Sequence, residues 1–90
     1  MKAYSINYDL KAPGRDYNKL YEAIKASGKW WHYLESTWLV VSNESSQQVW
    51  DRIAQSIDEN DSVLIIEVRK NKSGWLPQDA WDWINKNVPI

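Results

Sequence analysis

The stretch KWWHYLESTWLVVS, residues 29–42, decides the fold because it places two short strands side by side in the middle of the chain. Residues 29–34 and 37–42 are rich in aromatic and β-branched side chains, which favour strands. Only Glu35 and Ser36 separate the two runs, so the connection between them is tight. The pattern predicts a β-hairpin.

The residues before the hairpin predict a strand and then a helix. Apolar side chains alternate with small or polar ones over residues 4–10, which is the period of a half-buried strand. Residues 11–15 contain Pro13 and have turn chemistry, and Asp16 stands where a helix N-cap belongs. The helix is expected to end at Ser27-Gly28, because glycine closes a helix in the left-handed conformation at no steric cost.

The residues after the hairpin repeat the order of helix and strand. Ser45 and Gln48 have the spacing of a capping box, and apolar residues follow on one helical face as far as Ile57. Residues 63–68 form the most apolar strand of the chain. A polar loop then leads to Pro77 and a short C-terminal helix. The predicted order is βαββαβ plus this last helix.

A βαββαβ chain folds most simply into a ferredoxin-like α+β sandwich, in which a four-stranded antiparallel sheet carries two helices on one face. We expect a single domain over residues 1–90, with the βαββαβ core at 1–70 and the loop and C-terminal helix at 71–90. Strands 37–42 and 63–68 offer apolar groups to both sides, and Trp38 is expected to be buried. The second face therefore needs a cover, either the C-terminal helix or a second copy in a homodimer.

Composition excludes several kinds of protein. The chain has no cysteine and one histidine, so disulfides, thiolate metal sites and a protein-only zinc site are not expected. A formal net charge of -1 argues against strong non-specific duplex binding. With no signal-peptide pattern and no long apolar run, the sequence predicts a cytoplasmic protein that does not enter a membrane.

Three short segments carry a family resemblance: YDL at residues 8–10, WWHYL at 30–34 and STWLV at 36–40. Together they are similar to the SinR-like family of short bacterial and phage proteins, whose function is unassigned. The similarity extends over about residues 2–68. It implies a small domain of this kind without implying an activity.

More distantly, the βαββαβ order with an aspartate after the first strand resembles the small CRISPR-associated adaptation subunit, a homodimeric ferredoxin-like protein. That resemblance implies a metal-dependent nuclease in which Asp9 is the catalytic residue and binds Mg²⁺ together with Asp9 of a second subunit. Such a metal ion could activate water for phosphodiester attack. The alternative is that Asp9 caps the adjacent turn.

The aromatic cluster Trp30, Trp31, His32 and Tyr33 is the other candidate site, because exposed rings bind the faces of bases. Alternation along the strand sends Trp30 and His32 to one face and Trp31 and Tyr33 to the other, so at least one pair is expected in the core. His32 is either a general acid or base, or a strand histidine that holds a hydrogen bond.

Lys11 and Arg15 lie near the first turn and could meet phosphates, or they are ordinary loop charges. The chain has no phosphate-cradling glycine loop and no serine–histidine–acid arrangement. We therefore expect a small dimeric binding or regulatory protein associated with a nucleic acid or nucleotide, rather than an enzyme. The alternatives are the Mg²⁺-dependent nuclease and a phage or mobile-element protein that acts through a protein partner.

Overall fold

The computed structural model describes residues 1–12 and 14–89. Its elements follow the predicted βαββαβ order, with one further helix at the C-terminal end. They are β1 (Lys2–Asp9), α1 (Asn18–Lys25), β2 (Lys29–Trp31), β3 (Thr37–Ser42), α2 (Ser46–Ile53) with a 3₁₀ turn (Ala54–Ser56), β4 (Ser62–Val68) and α3 (Gln78–Asn87). Within the described ranges, no helix has the length and apolar character needed to cross a membrane.

The four strands form one antiparallel sheet in the order β2-β3-β1-β4. The central strand β1 pairs with β3 so that Ile6 lies opposite Trp38, and with β4 so that Ile6 lies opposite Ile65. Since every neighbouring pair is antiparallel, β1 and β2 run in the same direction with β3 between them. In the same way, β3 and β4 run in the same direction with β1 between them.

The main hydrophobic core lies between α1, α2 and one face of the sheet, called here the α1/α2 face. The helices contribute one apolar stripe each, and the strands contribute every second side chain, as the period of each element requires. The fully or almost fully buried members of this core are Tyr4, Ile6, Leu20, Ile24, Trp38, Val40, Val49 and Ile53. Trp38 is therefore buried, as its place in the middle of the strand predicts.

The opposite face of the sheet, called here the α3 face, is covered in part by the C-terminal helix. Ile84 of α3 and Val88 just after it pack against Ala3 and Val41 in a second, smaller core. The outer end of the same face stays open, because Leu64 and Ile66 of β4 are 57% and 51% exposed. The C-terminal helix thus covers only part of the α3 face and leaves Leu64 and Ile66 uncovered.

The hairpin is confirmed, but its first strand is shorter than the sequence predicts and its connection is longer. β3 has the predicted bounds, whereas β2 ends at Trp31 and residues 32–36 form the turn. The His32 ring stacks on the Trp38 indole, with ring centres 3.9 Å apart, and its Nε2 lies 3.1 Å from the carbonyl oxygen of Glu35. These contacts stabilise a turn conformation of residues that their composition alone would place in a strand.

Of the two predicted helix N-caps, one is confirmed and one is not. The capping box of α2 is confirmed, with Ser45 accepting from the N–H of Gln48 and the Gln48 side chain accepting from the N–H of Ser45. The N-cap of α1 is Tyr17 rather than Asp16, although Asp16 still accepts a hydrogen bond from the N–H of Asn18. The predicted turn between β1 and α1 includes Pro13, which lies outside the described residues.

Candidate functional site

The structure divides the predicted aromatic cluster between the two faces of the sheet. Trp30 and His32 lie on the α1/α2 face, where both contact Trp38. The Lys25 ammonium lies over the Trp30 ring, 5.0 Å from its centre. This pair therefore forms the outer layer of the main core, where both side chains are still exposed and Trp30 is 42% exposed.

Trp31 and Tyr33 lie on the α3 face and stack on one another. Their ring centres are 5.8 Å apart and their planes differ by 20°. Trp31 also contacts Trp83 of α3 at 6.5 Å. Tyr33 is 55% exposed, so this pair presents an aromatic surface to solvent.

Beside this pair lies a groove of about 230 Å³ between the α3 face and the C-terminal segment, called here the α3 groove. It is mostly apolar and open to solvent. Its lining residues are Ser5, Trp31, Leu34, Thr37, Leu39, Val68, Lys72, Ser73, Leu76, Trp81 and Ile84. An apolar cleft with a few polar groups is typical of small-molecule sites, although at this volume it suits one ring system rather than a whole cofactor.

The polar atoms at the floor of the groove are held by Asn7. The Thr37 hydroxyl donates to Oδ1 of Asn7 at 3.0 Å, and the Ser5 hydroxyl lies 3.2 Å from the same oxygen. The Asn7 amide in turn donates to the Ser5 hydroxyl oxygen at 3.0 Å and to the carbonyl oxygen of Leu64 at 3.3 Å. Because each hydroxyl has a single O–H, already used here, its remaining capacity is to accept, and on Ser5 one of the two lone pairs already accepts from Asn7. The floor of the groove therefore favours a ligand that donates hydrogen bonds.

A basic segment lies at the rim of the groove. The Lys72 ammonium lines the groove and donates to the carbonyl oxygens of Arg69 and Lys70, at 3.0 and 3.2 Å. Both neighbouring side chains are exposed. Arg69 pairs with Glu67 at 3.3 Å, so Lys72 is the cationic group that lines the groove, and its charge favours an anionic ligand group there.

Lys11 and Arg15 do not line the α3 groove; they belong to the loop between β1 and α1, which Asp61 anchors. The Asp61 carboxylate accepts from the N–H of Lys11 at 2.7 Å and of Asp58 at 2.8 Å, and from the Tyr17 hydroxyl at 2.8 Å. Burial alone would raise the pKa of the Asp61 carboxyl. The hydrogen bonds and the charge of Arg15 outweigh burial and lower this pKa below its ordinary value.

We expect Asp61→Asn to reduce stability at pH 7 and to matter less in acid. A carboxyl whose pKa is lowered by folding stabilises the native state above its unfolded pKa, and this stabilisation is lost as the pH falls through the folded pKa. In urea melts, the difference in unfolding free energy between wild type and Asp61→Asn should therefore shrink as the pH is lowered from 7 to 3. Glu59→Gln, at an exposed position of the same loop, is the control. A difference between wild type and Asp61→Asn that stays constant down to pH 3 would contradict the expectation.

Within a single chain, the described residues around Asp9 do not form a magnesium site. The Asp9 carboxylate is exposed and pairs with the Lys11 ammonium at 3.3 Å. Glu35 lines the same shallow depression, but in the part of the chain that the structure describes, no three potential metal-ligating side chains come together. The N–H of Lys11 is bound by Asp61 and not by Asp9, while the turn that Asp9 would cap includes Pro13, outside the described residues. We therefore derive no catalytic step through a metal ion here.

Sequence reasoning identified Trp31 and Tyr33 but missed the groove beside them. Ser5 and Thr37 look like ordinary strand residues, and Lys72 and Trp81 are far from both in sequence. They meet only because α3 folds back over the sheet. No protein-family model matches this chain, and no solved structure matches it, so the resemblances to the SinR-like family and to the CRISPR-associated adaptation subunit stay predictions from the motifs.

Proposed function

We propose that this chain is a small binding protein whose α3 groove takes a nucleobase with a phosphate attached, either in a nucleotide or in a single strand of nucleic acid. The observation that carries the proposal is the stacked pair Trp31 and Tyr33 beside an apolar groove that Lys72 lines. Aromatic surfaces next to positive charge are typical of proteins that bind unpaired bases.

Each part of such a ligand has a counterpart in the groove. The base would stack against the aromatic pair, where each base typically contributes about 1–3 kcal/mol. An exocyclic amino group would donate to the hydroxyl oxygens of Ser5 and Thr37, whose own protons are used within the protein. A phosphate would lie near Lys72 at the rim. The groove volume of about 230 Å³ suits the base alone, with sugar and phosphate outside.

The fold assignment that accompanies this proposal is ferredoxin-like. It is supported by the βαββαβ order and by two βαβ units whose parallel strands are each separated by one antiparallel strand. The packing of α1 and α2 against one face supports it further. In this assignment α3 is an addition that turns the otherwise open face into a binding groove.

The test is a calorimetric titration with the four nucleoside monophosphates and with short single-stranded oligonucleotides. We expect saturable binding that Trp31→Ala weakens by roughly 5- to 150-fold, the equivalent of losing one stacked base. Trp30→Ala is the matched control, since that ring lies on the other face of the sheet and should leave binding unchanged. Mononucleotides and oligonucleotides distinguish the two sources of the base.

No saturable binding at millimolar ligand would overturn the proposal, as would equal losses in the Trp30 and Trp31 variants. Urea melts of both variants establish that each is folded at the titration temperature. A protein partner in place of the nucleotide is the outcome favoured if neither class of ligand binds while the groove variants remain folded. Mg²⁺-dependent cleavage lost in Asp9→Asn would instead support the nuclease alternative.

A further inference from the structure

The outer strand β4 has a long free edge. It is seven residues long and contains no proline, and its only charged side chain is Glu67. The opposite edge strand β2 has only three residues, beginning with Lys29. Short or charged edge strands are protected against pairing with another chain, whereas a long apolar one presents unpaired backbone groups. Of the two edges of this sheet, only β4 is built to accept another strand.

The hydrogen-bond pattern identifies which groups face outward. The N–H of Tyr8 donates to the carbonyl oxygen of Ser36 at 3.1 Å, so the even-numbered residues of β1 point their backbone groups toward β3. Because these groups alternate in an antiparallel sheet, the odd-numbered residues of β1 bond to β4 through its residues 62, 64, 66 and 68. The N–H and C=O groups of Val63, Ile65 and Glu67 therefore face away from the sheet.

We propose that a second copy of this chain pairs with β4 in antiparallel fashion, around a two-fold axis at Ile65. The three outward-facing residues are symmetric about this position. Val63 then lies opposite Glu67 of the partner subunit, and Ile65 lies opposite its own copy. This register pairs every outward N–H and C=O of β4, and the two four-stranded sheets join into one of eight strands.

The exposed apolar side chains support the same register. Leu64, 57% exposed, comes to lie directly opposite Ile66 of the partner subunit, while Ile66, 51% exposed, lies opposite the partner's Leu64. These are non-hydrogen-bonded pairs, in which the side chains approach most closely. Pairing would therefore place these exposed apolar side chains against one another and reduce their exposure at the sheet edge.

Charge complementarity indicates that the occupant is a second copy. An acidic run with Asp58, Glu59 and Asp61 precedes β4, and a basic run with Arg69, Lys70 and Lys72 follows it. In an antiparallel pair the acidic run of one copy lies beside the basic run of the other, at both ends. Shifting the axis to Leu64 would place Glu67 opposite the partner's Asp61, a pair of like charges. Shifting the axis to Ile66 would place Val63 opposite position 69 of the second copy, beyond the end of β4, so that Val63 would have no strand residue to pair with.

The neighbouring helix leaves room for an added strand. A groove of about 180 Å³ runs between α2 and β4, lined by Ser46, Gln47 and Trp50 on the helix side. The free edge is thus uncovered on this face too.

In the resulting dimer both α3 grooves would open on the same face of the joined sheet. Ser62 of each copy pairs with Asp9 of the same chain. In this register the two copies of Ser62 are six positions apart, about 20 Å along the strands. This dimer therefore does not bring the two Asp9 side chains together.

Sedimentation equilibrium from micromolar to millimolar concentration tests the association without any ligand. We expect the mass of two chains at high concentration, and the mass of one chain for Ile66→Lys. A wild-type protein that remains a single chain up to 1 mM overturns the proposal, whatever the outcome for nucleotide binding. Since the nucleotide titration uses a different surface, the two proposals fail independently.

Cysteine mixing tests the register, because the natural chain has no cysteine. Leu64→Cys and Ile66→Cys are prepared separately, mixed and oxidised. Positions 64 and 66 of opposite subunits would have Cα atoms about 4.5 Å apart, within the range of a disulfide. Two copies of position 64 would be diagonal, about 7–8 Å apart. We expect crosslinked dimers from the mixture and few from either variant alone; equal crosslinking in a single variant, or none in the mixture, overturns the register.

Discussion

Trp38→Ala is expected to lower the free energy of unfolding by about 3–5 kcal/mol, the range found when a large buried aromatic side chain is truncated. The Trp38 ring is 3% exposed and lies between His32, Trp30 and Tyr21. Its Nε1 also donates to the hydroxyl of Tyr8 at 3.0 Å. Removing the indole leaves a cavity, three rings without their contact and a hydroxyl without its donor. A small domain has a total stability of only about 5–15 kcal/mol, so the loss is a large share of it.

Trp75→Ala is the matched control for Trp38→Ala, because the Trp75 side chain is 99% exposed. Urea melts followed by far-ultraviolet circular dichroism avoid the complication that both variants lose a fluorophore. We expect the Trp75 variant to unfold at the wild-type midpoint and the Trp38 variant to unfold at a much lower one. Equal midpoints would mean that Trp38 is not packed between helix and sheet.

Gly28→Ala is expected to be comparably destabilising, for a steric reason. Gly28 precedes β2 at φ 156°, and a Cβ atom placed there would lie 2.0 Å from the carbonyl oxygen of Val41. That oxygen belongs to the backbone of β3, which is held in the sheet on both sides and cannot move away freely. Backbone strain and overpacking each cost about 1–3 kcal/mol. The substitution therefore forces β2 away from β3 or unfolds the hairpin.

Gly14→Ala separates the two contributions to the Gly28 effect. Gly14 also has a positive φ, 78°, but a Cβ atom there would meet nothing within 4 Å. Its replacement should cost only the left-handed backbone energy, about 1–2 kcal/mol. Thermal melts of the two variants give the comparison. Equal destabilisation would show that the Val41 carbonyl moves aside easily and that the contact with Gly28 is not a constraint.

The sequence by itself determined the parts of the fold that depend on neighbouring residues. The bounds of β3 follow from a run of aromatic and β-branched side chains, and the start of α2 follows from a capping box whose two hydrogen bonds lie within four residues. The separation of Trp31 from Trp30 between the faces of the sheet follows from the two-residue period of a strand. These features need no information from distant parts of the chain, which is why local pattern predicts them.

Only the tertiary structure decided the features that join distant segments. The predictions of a tight hairpin connection and of a first hairpin strand as long as residues 29–34 were wrong, because the His32 ring stacks on Trp38. Tyr17 replaces Asp16 as the N-cap, and its hydroxyl is held by Asp61, which lies far along the chain. Such contacts depend on which surfaces meet after collapse, and neither residue carries a local signal for its partner.

The candidate site depends on the tertiary structure most of all. Trp31 could be proposed from sequence because an aromatic side chain next to another is a visible pattern. Trp81 and Lys72 could not, since they reach the groove only when α3 packs on the far face of the sheet. That packing is driven by burial of apolar surface, and the hydrophobic effect is not directional. The order of apolar residues in α3 therefore does not predict which face of the sheet the helix packs on.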